Sequence, residues 1–340
     1  MAKTRLALIG LGMAAAPHAK SLADLSDRVE VVSAFSPTPA RRKAFAETYG
    51  FPTCDDAETI FSDASIDAVL LLTPPNTHLG LVQRAASAGK HVLLEKPLET
   101  SFERAETLVA AAEEAKVKLG IVLQHRFRPV SLALADIMRQ GRLGTLVSAS
   151  ARLHNWRPQS YYDQPGRGTK ARDGGGVLLT QAIHTLDLLI SLAGLPVETI
   201  AYCTTSPIHK METEDLAMGA IRFENGAIGS ISATTCAFPG QPDAIDIIGT
   251  EGMARLDGTR LSVQFHDGSE FSATDEAAGG GAGADPMAFP HNHHRAAIAD
   301  FLDAIEQDRA PLVTGREALK VHRLIEAILR SSETGQRQPV

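Results

Sequence analysis

Lys96 and His184 are the two side chains whose type and setting best suit them to move a proton. Lys96 stands between Glu95 and Pro97, directly after the apolar run of residues 91–94. A lysine held at the end of a buried strand and partly desolvated has a lowered pKa, and it can hydrogen-bond or deprotonate a hydroxyl. Most lysines are solvated surface charges; the strand before this one and the proline after it set it apart. His184 lies in residues 173–191, where Asp-Gly-Gly-Gly leads into a helical pattern. At about 100° per residue, Thr180, His184, Asp187 and Ser191 fall within a stripe roughly 60° wide, while Leu179, Ile183, Leu186, Leu189 and Ile190 cover much of the remainder. A lone histidine on an apolar helix usually satisfies only the core. Four aligned polar groups read as a pocket wall, in which His184 relays or donates a proton at a carbon–oxygen centre. Asp187 there fixes its tautomer or makes a separate helix-end contact.

The elements that must position these groups begin at the N-terminus. Residues 4–9 read as a short buried strand, and Gly10-Leu-Gly12-Met13-Ala-Ala15 follows at once, leading into a helix through Ala19 and Leu22. Gly10 permits the tight turn, Gly12 lets backbone approach a pyrophosphate, and Ala15 is small enough for the helix to pack on the strand. The helix N-terminus then faces the anion. A lone GxGxxA carries little weight in a chain with 28 glycines; its setting between strand and helix gives it weight. A second strand, residues 29–35, ends at Ser36, where a dinucleotide fold commonly carries an acid on the adenosine ribose. With no carboxylate to repel a 2′-phosphate, and with Ser36, Arg41 and Arg42 at hand, NADP is favoured over NAD. The same arginines also fit a solvated helix of mixed charge. Residues 68–72 run into Thr73-Pro74-Pro75-Asn76-Thr77-His78, and residues 91–94 into Glu95-Lys96-Pro97. In a parallel sheet both loops lie at strand carboxyl ends and face the nicotinamide half of the cofactor, so Thr73, Pro74, Asn76, His78, Glu95 and Lys96 are cofactor candidates. Pro97 admits a cis peptide.

Length and composition bound the class. With 340 residues, 44% of them hydrophobic, the chain can fill two cores. Lys and Arg number 33 against 40 Asp and Glu, a net charge of −7, and no long basic run supplies a nucleic-acid or membrane surface. Small-molecule partners are expected instead. Cys54, Cys203 and Cys236 are odd in number and far apart, which suits a reducing cytoplasm and no disulfide framework. Lys3 and Arg5 followed by apolar residues 6–16 resemble a short secretory signal, but that reading gives Gly10 and Gly12 no role. No stretch of about eighteen uninterrupted apolar residues is present. His291, His293 and His294 follow a Gly/Ala-rich stretch at 277–285 and read as a helix start; no metal is expected. Glu212, Glu214 and Asp215 read as solvated acids at a loop-to-strand junction.

Taken together, Gly10-Leu-Gly12, Thr73-Pro-Pro-Asn76 with His78, Glu95-Lys96-Pro97, Gln124-His-Arg126-Phe127, Gly174-Gly-Gly176 and His184 with Asp187 resemble the Gfo/Idh/MocA family over nearly the whole chain. The resemblance implies a Rossmann domain with a doubly wound parallel sheet at 1–123. It is followed at 124–340 by an α/β domain whose open, mostly antiparallel sheet covers the substrate pocket and often mediates homodimer or homotetramer contacts. Strand-like segments near 145–154, 197–205, 215–223, 227–235, 243–249 and 260–265 are compatible, with Asn225-Gly226 as a hairpin signal and helices near 291–307 and 315–332. By the same resemblance, Lys96 and His184 assist hydride transfer between the nicotinamide and a carbinol or carbonyl carbon of a sugar, polyol or related cyclic alcohol. Many family members carry an aspartate four residues before that histidine, where this chain has Thr180. A threonine is no carboxylate base, so either Lys96 carries the proton work or the substrate differs from the inositol type. Gln181, Arg126, Arg157, Tyr161 and Arg167 are substrate candidates, the last three in an aromatic and arginine-rich loop that also suits packing and surface pairing. Two alternatives stay open: a dihydrodiol- or deoxysugar-type dehydrogenase of the same family, and a non-catalytic NADP-binding sensor, which only Thr180 favours.

Overall fold

Strand and helix alternate along the first third because its apolar runs are short and each is followed by an amphipathic stretch. The computed structural model describes residues 3–276 and 290–340; the expected linker at 277–285 lies outside them. Five strands, β1 (Thr4–Ile9), β2 (Val29–Phe35), β3 (Ala68–Leu71), β4 (His91–Glu95) and β5 (Leu119–Val122), pair in parallel in the order β2-β1-β3-β4-β5. Every residue of β3 and β5 is buried, as a sheet covered on both faces requires. A single parallel bridge from Phe35 to Cys54 adds the remnant of one further strand outside β2. Counting it, the order is that of a Rossmann sheet, reversing between β1 and β3. Gly10 and Thr73 follow those two strands at the switch point. The stretch that resembled a secretory signal is thus the central strand and its turn.

Contacts divide the chain into residues 1–124 with 291–319, and 125–290 with 320–340. The expected division at 123/124 left the helix near 291–307 with the second domain. That helix, Asn292–Glu306, instead buries Ile298, Phe301 and Leu302 in the same core as Leu6, Leu8, Ala19 and Leu22. Its apolar stripe finds its partner in the first sheet and the helix Ala15–Asp24, a match that depends on shape rather than on sequence order.

The second unit is built on a nine-stranded sheet. Its strands are β6 (Leu146–His154), β7 (Glu198–Thr204), β8 (Leu216–Arg222), β9 (Ile228–Thr234), β10 (Ala244–Gly249), β11 (Gly252–Asp257), β12 (Arg260–Phe265), β13 (Glu270–Thr274) and β14 (Gln338–Pro339). They are ordered β13-β12-β11-β10-β6-β9-β8-β7-β14, and only β6 and β9 pair in parallel. Gly226 turns β8 into β9 with φ +87°. β11, β13 and β14 lie outside the expected segments. Their sequences mix Gly, Pro and charged residues, and pairing with a formed neighbour, not propensity, makes them strands. Helices Pro129–Arg139 and Ile183–Ala193 pack against the sheet. Val147, Ile200, Tyr202, Met218, Ile228, Ile248, Met253 and Phe271 are exposed along its strands.

Residues 178–182 form a π turn ahead of the α-helix Ile183–Ala193. Lys170–Ala193 is long and apolar enough to cross a membrane by composition, but 72% of its apolar 18-residue window is buried inside the protein, as in a core helix. The wider turn takes Thr180 out of the α-helical phase, and Ser191 is exposed and donates to the Leu188 carbonyl at 2.8 Å. The expected four-residue polar stripe therefore contracts to His184 and Asp187.

Candidate functional site

At the switch point of the first sheet Gly10 has φ +106°, and a Cβ there would stand 2.7 Å from the Leu72 carbonyl carbon, so only glycine fits. Gly12 differs: a Cβ there would meet nothing within 4 Å, so its bare backbone borders open space. The helix Ala15–Asp24 begins after Ala14 with no side-chain cap, its first amide donating to the Gly12 carbonyl at 3.1 Å, and its N-terminal end faces the turn. Met13 is exposed beside this turn and Ala15 is buried against the core. The turn fits the pyrophosphate of a dinucleotide. At the end of β2, Ser36 is buried and its carbonyl accepts Arg42 Nη1 at 2.6 Å, while Arg41 is exposed.

Beyond β3, Pro74 and Asn76 are exposed, Thr73 is half-buried, and the Thr77 hydroxyl lies 2.8 Å from Thr73 Oγ1. His78 departs from its expected role as a cofactor contact. It is fully buried, with Nε2 2.8 Å from the Thr73 carbonyl and Nδ1 3.0 Å from that of Pro97, and burial pulls its pKa below the ordinary value. It stitches the loop after β3 to the loop after β4.

Glu95 closes β4 with a carboxylate that is itself held. Oε1 accepts His18 Nε2 at 2.7 Å and Oε2 accepts the Lys96 backbone N–H at 3.0 Å. Burial pushes this carboxyl up, but the His18 hydrogen bond and the charges of His18, His294 and Lys96 outweigh it, leaving its pKa below the usual range. His294 meets the His18 ring edge-on, centroids 5.0 Å apart, and burial brings its pKa down to about 3. The half-buried Lys96 is thus anchored at its backbone, and its peptide bond to Pro97 is cis. His18 escaped the sequence reading, and so did its grouping with His294, because no spacing links positions 18, 95 and 294. His294, set aside there as part of a helix start, lies within 4.8 Å ligand-atom reach of His18 and Glu95.

In the second unit the Arg126 fork donates to Asp187 from Nε at 2.7 Å and from Nη2 at 2.6 Å, and both residues are buried. Asp187, expected either to hold the His184 tautomer or to make a helix-end contact, pairs with this guanidinium. His184 is buried and stacks on His125 with centroids 4.9 Å apart. Thr180 Oγ1 donates to the Gly176 carbonyl at 2.6 Å and also contacts buried Gln181 Oε1. Arg167 Nη1 donates to the Tyr161 hydroxyl at 2.6 Å, with its guanidinium 4.3 Å from the ring centroid. Arg157 is buried and donates to the Trp156 carbonyl at 2.8 Å.

The acids at the start of β8 correct the expectation of solvated charge. Glu214 and Asp215 are 9% and 0% exposed. Glu214 accepts the N–H groups of Gly176 and Leu178 at 3.0 and 3.1 Å, and burial pushes its pKa up. A Cβ on Gly176 would fall 1.8 Å from the Glu214 carbonyl oxygen, which explains a glycine there. Glu212 is exposed and accepts the Lys170 N–H at 2.9 Å.

Residues 4–122 match the family model described as an oxidoreductase family with an NAD-binding Rossmann fold, and residues 131–255 match the GFO/IDH/MocA C-terminal domain. The chain is 31% identical to 1,5-anhydro-D-fructose reductase of Ensifer adhaerens, covering 90% of each. It is 28% identical to inositol 2-dehydrogenase of Rhizobium meliloti (strain 1021), covering 79% of this chain and 80% of that one. Among solved structures, the WlbA dehydrogenase of Bordetella pertussis in complex with NADH and UDP-GlcNAcA superposes with a TM-score of 0.85 at 29% identity, covering 100% of this chain and 99% of the other.

Proposed function

The chain belongs to the GFO/IDH/MocA family of NAD-binding oxidoreductases, and from that premise we propose that it moves a hydride between a nicotinamide and a secondary carbinol of a sugar, polyol or related cyclic alcohol. The observation that carries the reading is the set of strand ends in the first unit. The open Gly12 turn, its uncapped helix and the anchored Lys96 stand at the carboxyl ends of β1 and β4 in one parallel sheet. Bound there, a nicotinamide supplies or accepts the hydride. Lys96 takes the hydroxyl proton on oxidation and returns it on reduction. His184, on a helix held by the Arg126–Asp187 pair, is the assisting group of the second unit. Substrate contacts are drawn from Arg126, Arg157, Tyr161, Arg167, Thr180 and Gln181, whose hydroxyl, amide and guanidinium groups suit a polyhydroxylated ligand. The names of the relatives, an anhydrofructose reductase and an inositol dehydrogenase, support a carbohydrate or cyclic polyol.

The absence of an acid at Ser36, with Arg42 tied to that strand end and Arg41 exposed, supports acceptance of NADP in preference to NAD. The exposed apolar residues of β6–β11 support a homodimer or homotetramer that covers this sheet, and three free thiols support a cytoplasmic setting. The test is nicotinamide absorbance during turnover of sugars, polyols, sugar acids and dihydrodiols with both cofactors. Turnover is expected to fall about 10²–10⁴-fold in Lys96→Met. Tight cofactor binding without turnover across the panel would replace the dehydrogenase with the sensor.

A further inference from the structure

His209, Asp215 and Cys236 bring an imidazole, a carboxylate and a thiol to one point of the second unit, within 4.8 Å of one another. His209 belongs to the loop between β7 and β8, Asp215 directly precedes β8, and Cys236 follows β9. His209 Nδ1 is 2.8 Å from Asp215 Oδ2 and 3.8 Å from Cys236 Sγ, while Nε2 is 2.8 Å from the Arg157 carbonyl. A carbonyl only accepts, so Nε2 carries a proton and Nδ1 is the nitrogen turned to the acid and the thiol. Asp215 is held as an anion: Ser206 donates its N–H to Oδ1 and its hydroxyl to Oδ2, each at 2.7 Å. At 2.8 Å Nδ1 and Oδ2 stand at hydrogen-bond distance, and a metal ion would take the place of the proton they share. The group is not built as a proton relay. In a relay the thiol and the acid address opposite ring nitrogens, whereas here both address Nδ1. A ring whose far nitrogen donates to a backbone carbonyl is oriented as metal-binding histidines are.

We propose that His209 Nδ1, Asp215 Oδ2 and Cys236 Sγ bind a structural zinc(II) ion that fastens the loop at 205–215 to the end of β9. Ser206 Oγ, 3.2 Å from Cys236 Sγ and donating to Asp215 Oδ2 at 2.7 Å, borders the group. Thiolate, imidazole and carboxylate are zinc donors. A tetrahedral ion with Zn–S of ~2.3 Å and Zn–N of ~2.1 Å sets sulfur and nitrogen ~3.6 Å apart, close to the 3.8 Å observed. The imidazole–carboxylate separation opens by roughly 0.5 Å to admit the same ion. Binding releases one proton from Nδ1 and one from the thiol as two positive charges enter. The buried cluster is therefore neutral with protons or with zinc, and no uncompensated charge is created.

The test uses the untagged full-length chain, incubated with zinc chloride, desalted and assayed for metal by mass spectrometry. About one zinc per chain is expected for the wild type and none for Cys236→Ser or Asp215→Asn, with zinc raising Tm in the wild type alone. Cobalt(II) is expected to give a thiolate-to-metal charge-transfer band that Cys236→Ser lacks, a readout that survives if the Asp215 variant fails to fold. Wild-type protein that retains no zinc overturns the proposal. So does equal retention by Cys236→Ser, which would direct the ion to His18, Glu95 and His294. Neither outcome bears on whether the chain is a dehydrogenase.

Discussion

Around Gly10, Thr73 and Lys96 the turns follow from residues next to one another in the chain, whereas around His184 the polar groups are fixed by partners far away. Arg126 reaches Asp187 across 61 positions and Gly176 reaches Glu214 across 38. A phosphate-binding turn needs particular backbone angles and bare backbone, and those demands fall on consecutive residues. A buried charge needs an opposite charge, and the fold is free to bring that from anywhere. The first kind of site is thereby written in local motifs, and the second is assembled only when the sheet has formed.

The largest expected effect tests the assembled region. Asp187→Ala removes the carboxylate paired with the buried Arg126 guanidinium and should cost about 3–5 kcal/mol in urea unfolding, while Arg126→Met with Asp187→Leu should recover most of that loss. A cost near zero for the single change would remove the long-range pair from the comparison. Next come the two glycines of the local region. Gly10→Ala should cost about 1–3 kcal/mol, because its Cβ runs into the Leu72 backbone at a positive φ. Gly12→Ala should leave stability within about 0.5 kcal/mol yet weaken NADH binding in calorimetry. Equal stability losses at both would break the distinction between a folding glycine and a ligand glycine.

Acid sharpens the comparison from the other side, since the first unit also holds long-range partners, His294 and His18 among them. His294 has a folded pKa of about 3 against 6.5 for the free side chain. Between those values the unfolded chain binds a proton that the folded chain excludes, so this contribution is fully present above 6.5 and is lost as pH falls. The slope for this one group is about 1.4 kcal/mol per pH unit, read from urea midpoints at pH 7, 6 and 5. It should flatten in His294→Gln. The smallest effect concerns the end of β2: Ser36→Asp should shift the ratio of Kd values toward NAD by about fivefold, about 1 kcal/mol. An unchanged ratio would deny Ser36 a part in cofactor choice.

From its sequence alone the chain determined its parallel sheet, the Gly10–Ala15 turn, the strand-end loops carrying Thr73 and Lys96, and six strands of the second sheet. Each is a matter of short-range sterics or of apolar period, which neighbouring residues settle between themselves. Only the tertiary structure decided that the helix Asn292–Glu306 completes the first core, and that His78 joins two loops. It also decided that Glu95 is held by His18, that Asp187 belongs to Arg126, and that Glu214 and Asp215 lie inside. In isolation an acid reads as solvated because water is its cheapest partner. It goes inside only where donors from other strands and loops already wait, as the N–H groups of Gly176, Leu178 and Ser206 do here, and the chain brings those together by folding.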